Sequence, residues 1–305
     1  MANDAETIAM PVRVTWLGEL PLVEWRAIGL AEARGPRFYE AVERAAVLRI
    51  APLDDAPDPA GPIAISGTIQ HVWRCGSTLL CAQFNAVPGC LALSEPFVFS
   101  NLLVGRVQDP ELARIRIRKL AGLLAGAVQD FADHLVIKWP GLIGQHAAQL
   151  EQALPEVPGI FLHRRPRDVL ASMLREPLGE AFGLPQSYFG AMPAAADRDS
   201  LLGAAYLIAG TCAEVAAATA LRHCDYERLP AATAERIAPW FGITLDPAGE
   251  AAMAASAQWH SKHPRGTRAF SGDLPPSAID LTLFADAEAV IEPALAQALA
   301  ALQPV

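Results

Sequence analysis

HVWRCGSTLLCAQF, residues 71–84, is a short apolar strand pattern that breaks at a glycine and runs straight into a helix pattern. Gly76 permits a sharp turn that a residue with a Cβ resists. Ser77 and Thr78 then open the helix with hydroxyls and backbone N–H groups, and a helix N-terminus attracts anions. Arg74 adds a positive charge just ahead of the turn. A magnesium-nucleotide loop would read GxxxxGK[ST]. Here Gly67 lies too far upstream, and Ser77 follows Gly76 where that pattern needs lysine. An ordinary strand–turn–helix with a Ser/Thr cap would use the same residues, so this segment alone leaves both readings open.

Working outward, the same alternation recurs. Short apolar runs at Ile65–Val72, Cys90–Leu93, Leu135–Ile137, Ile160–His163 and Arg222–Tyr226 read as strands. Helical stretches at Ser77–Ala86, Pro110–Phe131, Gly144–Ala153, Pro166–Leu174 and Asp199–Leu221 separate them. That order predicts βαβ units and an α/β fold, with a central parallel β-sheet flanked by helices. Ligands of such sheets bind at the C-terminal strand ends, so the residues there carry the functional reading.

GCLALSEPFVF (89–99) ends a strand at Glu95, 21 residues after Arg74. A carboxylate on that edge can take a proton from an acceptor; a helix-start Glu ahead of Pro96 is the plainer alternative. HLVIKWPG (134–141) ends in Lys138, which either faces a ligand or remains a solvated end charge. GIFLHRRPRDVLASML (159–174) is the most specific run. Ile160–Leu162 form a strand, Arg164 and Arg165 stand at its end, and Pro166 and Asp168 suit a first helical turn. Ser172 follows eight residues past Arg164. A guanidinium with a hydroxyl suits a phosphate monoester, whereas Arg165 and Arg167 fit a solvated helix start.

RCGSTLL (Arg74–Leu80) resembles the phosphosulfate loop of the sulfotransferases that use 3′-phosphoadenosine 5′-phosphosulfate (PAPS). Arg at its head is the form found in many bacterial members. The order R-x-P-x-D-V-x-x-S, read as Arg164, Pro166, Asp168, Val169 and Ser172, resembles that family's 3′-phosphate motif. CDYERL (224–229) is similar to its YEDL strand end. The resemblance spans residues 63–273, about two thirds of the chain. It implies a P-loop nucleoside triphosphate hydrolase-like sulfotransferase fold. The implied reaction moves a sulfuryl group from PAPS to a hydroxyl or amine of a small-molecule acceptor and leaves adenosine 3′,5′-bisphosphate.

The resemblance also implies roles. Arg74, Cys75, Gly76, Ser77 and Thr78 would hold the phosphosulfate. Lys138 would steady the sulfuryl oxygens, Glu95 would take the acceptor proton, and Arg74 would share in charge stabilisation. Arg164 and Ser172 would bind the 3′-phosphate, with Tyr226 near that phosphate and the base. A late basic loop, SKHPRGTRAFSGD (261–273), would add Arg265 and Gly266, with Arg268 and Lys262 behind them. Cytosolic members carry a histidine base two residues after the lysine; Pro140 stands there, which favours Glu95. No metal is required, because fixed cations can neutralise the developing charge. Two rivals stay open. One is a nucleotide-dependent phosphotransferase, which would want the lysine the loop lacks; the other is a catalytically silent nucleotide-binding protein of the same fold.

The whole chain sets limits. Its 305 residues carry 33 acidic and 24 basic side chains, a net charge of −9. That balance discourages nucleic acid and polyanionic sugar partners but not a small anion held by a few cations. With 52% hydrophobic and 19% charged residues the chain is globular. Five cysteines without a CxxC pair argue against a disulfide framework or structural zinc and for a reducing, cytoplasmic setting. MANDAETIAMPVRV (1–14) lacks the pattern of a secretory signal. Leu201–Leu221 could span a bilayer by length, but its alanines and Glu214 favour a soluble core helix and no membrane partner.

Residues 1–60 read as an N-terminal extension, with a strand at Val12–Leu17 and a helix-like stretch at Phe38–Leu48. APLDDAPDPAGP (51–62) reads as a linker or surface loop to a sulfotransferase-like α/β domain over 61–305. Covering the acceptor site, forming a homodimer and packing on the sheet are all open to the extension. Arg106, Arg114, Arg116, Arg118 and Lys119 read as a solvated helix face. Ala234–Phe241, Ala248–Trp259 and Ala285–Ala301 read as helices. PQSYFGAMPAAAD (185–197) is small and partly aromatic, which suggests a modest apolar acceptor.

Overall fold

The runs Gly67–His71, Cys90–Ser94 and Gly159–His163 are short, continuously buried strands, the signature of a sheet covered on both faces. The structure, a computed structural model, describes residues 6–36, 38–104, 106, 108–175, 201–258 and 281–305. The chain opens with β1 (Thr7–Leu17), β2 (Leu20–Gly29), α1 (Leu30–Ala33), α2 (Phe38–Arg44) and β3 (Val47–Pro52). The alternating part follows: β4 (Gly67–His71), α3 (Ser77–Ala86), β5 (Cys90–Ser94), α4 (Val98–Leu103), α5 (Pro110–Val128) and β6 (His134–Lys138). Next come a 3-10 turn (Gly141–His146), α6 (Ala147–Ala153), β7 (Gly159–His163), α7 (Pro166–Arg175), α8 (Leu201–Ala217) and β8 (Arg222–Asp225). A 3-10 turn (Tyr226–Arg228) and a π turn (Thr233–Ile237) lead to α9 (Ala238–Trp240), α10 (Pro247–Ser256), α11 (Leu281–Ala301) and β9 (Gln303–Pro304).

The expected α/β architecture is present: a six-stranded sheet in the order β5-β6-β4-β7-β8-β9, parallel throughout and flanked by helices. Successive side chains of a strand point to opposite faces, and the core divides accordingly. Cys90, Ala92 and Val136 join Leu80 and Phe84 of α3, Ile208 of α8 and Ile291 of α11. Leu91, Leu93, Leu135 and Ile137 join Ile117, Leu120 and Leu124 of α5, together with Ile8, Met10 and Val12 of β1. Helix α5 starts where its sequence directs, with Pro110 in its first turn and the Asp109 carboxylate accepting from the N–H groups of Glu111 and Leu112.

β4 and β7 are neighbours, but their onward connections diverge. β4 leads to β5 at one edge, and β7 leads to β8 on the other side. The C-terminal ends of β4 and β7 therefore flank the topological switch point, where open α/β sheets bind ligands. Arg74 follows β4 and Arg164 follows β7.

The first 60 residues depart from expectation. They form a three-stranded antiparallel sheet, β1-β2-β3, instead of one strand and a long helical stretch. β2 escapes the sequence pattern because Glu24 and Arg26 lie buried inside it as an ion pair. Arg26 also donates to the carbonyls of Val42, Glu43 and Ala45. The helical stretch stops at Arg44, and Val47 onward pairs with β2.

The solvated basic face of α5 is also corrected. Arg114 is half-buried and pairs with Glu111, whereas Arg116 is buried at 4% exposure and forks onto Asp54 at 2.7 and 2.8 Å. Lys119 Nζ donates to the Asp54 carbonyl at 2.7 Å, and Arg118 pairs with Glu156 at 2.9 Å. Residues 53–58, read as a loose linker, are thus held against α5. All five cysteines are buried free thiols. Among the described residues no helix is long and apolar enough to cross a membrane. Lys262, Arg265, Gly266 and Arg268, and the segment 185–197, lie outside the described residues.

Candidate functional site

The turn after β4 is strained backbone. Trp73 and Arg74 each adopt φ 47°, and Gly76 adopts φ 84°. A left-handed conformation costs a residue with a Cβ about 1–2 kcal/mol, so the surroundings must hold the turn. They do so through β4 and β6. The Trp73 N–H donates to His71 Nδ1 at 3.1 Å, and His71 Nε2 lies 3.0 Å from the Trp139 carbonyl. Both bonds require hydrogen on Nε2 and none on Nδ1. Burial, followed by the Lys138 charge, pushes the His71 pKa down to about 4, consistent with that neutral ring. The Trp73 indole presses on backbone: a Cβ on Gly141 would sit 1.9 Å from its Nε1.

The turn ends at Gly76, the N-cap of α3, which supplies no side-chain cap. The N-cap position therefore gives the first N–H groups of α3 no side-chain acceptor, although the Cys75 sulfur faces the Ser77 N–H. Ser77 is buried and Thr78 half-buried at that start. Cys75 is fully buried, and burial pushes its thiol up to about 12. It has only its backbone to offer a ligand.

Lys138 ends β6 beside this turn and is 2% exposed. Its ammonium pairs with the Glu95 carboxylate and reaches Ser94 Oγ at 3.3 Å and Thr78 Oγ1 at 3.5 Å. The register sets the meeting, because Ser94 of β5 lies directly opposite Lys138. Burial is the largest single influence and works against the Lys138 charge, but Glu95, Cys81 and Cys75 together outweigh it and the pKa ends above the usual lysine value. Glu95 adopts φ 58°, and its N–H donates to the Lys138 carbonyl at 2.9 Å. Its carboxylate also lies 3.9 Å from His71 Nε2. Lys138 is thus no solvated end charge, and Glu95 is more than a helix-start acid.

Arg164 and Tyr226 approach from the β7 and β8 side. The Arg164 guanidinium lies over the Tyr226 ring at 4.3 Å and reaches the Arg74 carbonyl at 3.4 Å. The ring rests on the turn itself, since a Cβ on Gly76 would lie 2.6 Å from it. Arg164 is 9% exposed. Arg165 and Arg167 are exposed and pair with Asp168, Glu227 and Glu288, as a solvated helix start would. Ser172 is half-buried on α7, about 9 Å along the helix axis from Pro166.

The structure therefore brings Arg74, Gly76, Ser77, Thr78, Glu95, Lys138, Arg164 and Tyr226 to one sheet edge. His71 and Trp73, which brace the turn, were missed. Both stand in the quoted stretch, but their work depends on contacts that exist only once the backbone reverses. Buried cations, an uncapped helix start and a carboxylate together can bind a polyanion and accept a proton beside it. No known family model and no curated protein matches the chain.

Proposed function

We propose that the chain is a sulfotransferase that moves the sulfuryl group of PAPS onto a hydroxyl or amine of a small acceptor. The observation that carries this reading is the buried Lys138 ammonium, shared by Glu95, Ser94 and Thr78 beside the uncapped start of α3. A lysine so placed can serve either a carboxylate or an incoming anion.

Arg74 and the first N–H groups of α3 hold the 5′-phosphosulfate, and Lys138 turns from Glu95 to the sulfuryl oxygens. Glu95, freed of its partner, becomes a better base and takes the acceptor proton. The acceptor lone pair forms a bond to sulfur while the bond between sulfur and the 5′-phosphate oxygen breaks. That electron pair stays on the phosphate and gives adenosine 3′,5′-bisphosphate. Arg74 and Lys138 neutralise the charge as it develops. The Arg164 fork, held against Tyr226, receives the 3′-phosphate, with Ser172 as a second donor.

Titration calorimetry tests the nucleotide claim. Adenosine 3′,5′-bisphosphate should bind at least roughly tenfold tighter than magnesium-ATP. Arg164→Ala should cost it about 2 kcal/mol, near thirtyfold in Kd. Equal affinity for the two nucleotides overturns the reading. Tight bisphosphate binding without transfer from labelled PAPS to any acceptor would leave the silent nucleotide-binding protein instead.

A further inference from the structure

A cavity of about 200 Å³, open to solvent, lies between the N-terminal sheet, α2 and α4. Val12, Phe38 and Val42 form buried apolar lining, and Tyr39 and Phe97 stand edge to face with ring centres 6.1 Å apart. Tyr39 is 41% exposed, a large aromatic surface left open to solvent. The charged lining residues are Arg13 and Glu43, which already pair with each other. The described lining therefore offers apolar ring contacts with no unbalanced charge, and Asn101 as a further polar side chain.

Position links the cavity to chemistry. Phe97 stands two residues beyond Glu95. Consecutive Cα atoms are 3.80 Å apart, so these two Cα atoms are separated by no more than about 7.6 Å. A molecule resting on Phe97 can present a polar group toward the Glu95 carboxylate. A small pocket that sets aromatic and aliphatic surface beside a few polar groups suits a compact organic ligand with one polar substituent.

We infer that this cavity is the acceptor site and that it takes a neutral compound with a flat aromatic ring bearing a hydroxyl or amine. The inference rests on the proposed sulfuryl transfer. It makes β1 and α2, from the part of the chain before the central sheet, the walls that choose the substrate. The ring packs against Phe38, Tyr39 and Phe97, where aromatic edges and faces add to plain burial. A negatively charged acceptor would have to displace Glu43 from Arg13.

Calorimetric titration of the full chain with 2-naphthol, with and without adenosine 3′,5′-bisphosphate, tests this. Saturable binding is expected. Asn101→Trp should weaken it at least roughly tenfold and leave bisphosphate affinity unchanged. The Asn101 side chain is exposed, and it is the backbone carbonyl that accepts from Trp16, so the fold should tolerate the change. Glu43→Gln frees Arg13 and should improve binding of 2-naphthoate. Naphthol binding that does not saturate, or that Asn101→Trp leaves untouched, overturns the acceptor site while bisphosphate binding keeps the proposed function. If naphthol binds and responds to the variant but the bisphosphate does not bind, the cavity stands as an aromatic site and the sulfuryl-transfer reading falls.

Discussion

Gly76 meets two demands at once: a φ of 84° and the Tyr226 ring where a Cβ would go. Gly76→Ala should therefore cost about 3 kcal/mol in urea unfolding, part backbone strain and part ring displacement. In a Tyr226→Ala background the cost should fall to about 1 kcal/mol, the backbone share alone. Glu95 and Lys138 make a second coupled pair. Glu95→Gln leaves a buried ammonium facing a neutral amide, so it should lower stability by about 2–3 kcal/mol. Adding Lys138→Met should recover part of that loss. Turnover of Glu95→Gln must be scored on protein kept folded, and retained transfer would move the base elsewhere. Arg74, Gly76, Glu95, Lys138 and Arg164 were legible because each closes a short apolar run, where ligand-facing residues of α/β sheets sit. Their pairing was not legible. Lys138 meets Glu95 because β5 lies beside β6 with Ser94 opposite Lys138, and strand neighbours are a property of the assembled sheet.

Among elements, α5 shows how a surface reading fails. Arg116 gives both forks to Asp54, a third bond to Gln108 and a fourth to the Glu19 carbonyl in the β1–β2 turn. One side chain thus ties the N-terminal sheet and the segment after β3 to the helix that covers the central sheet. Arg116→Met should lower stability by about 3 kcal/mol, since it strands the carboxylate of Asp54 and two other acceptors. Arg114→Met, two residues earlier on the outer side of the helix, should leave the urea midpoint unchanged. Equal effects of the two would mean that the buried network contributes nothing. The helix itself was read over Pro110–Phe131 and runs over Pro110–Val128; its partners were not legible, because Asp54 sits in a Pro- and Asp-rich run that carries no periodic signal. β2 hid for a related reason. Glu24 and Arg26 break its apolar pattern, and only their mutual pairing makes them tolerable inside a sheet.

For the whole molecule, net charge and buried histidines pull stability in opposite directions with pH. A charge of −9 at pH 7 repels itself, and mild acid lessens that repulsion. Surface charge alone therefore predicts a more stable protein toward pH 5. His71 predicts the reverse. Its folded pKa is near 4, against 6.5 for a free imidazole, because the ring is buried and faces Lys138, with Glu95 as the opposing charge. The unfolded chain then binds more protons than the native one between those values. Stability is complete above pH 6.5 and is lost as pH falls toward 4. By pH 5 His71 alone should remove about 2 kcal/mol. His163 is also held low by burial, with His223 and Arg228 beside it and Asp225 opposing, and it acts in the same direction. A specific buried ring outweighs a diffuse surface field that salt screens within about 10 Å. Urea unfolding at pH 7.5, 6 and 5 should thus show falling stability at constant salt. His71→Gln, which keeps a side-chain amide able to face the Trp139 carbonyl, should flatten that slope even though it lowers stability at pH 7.5. A wild-type stability that rises toward pH 5 would mean that His71 is not held neutral, and the bracing assigned to the Arg74 turn would fall with it.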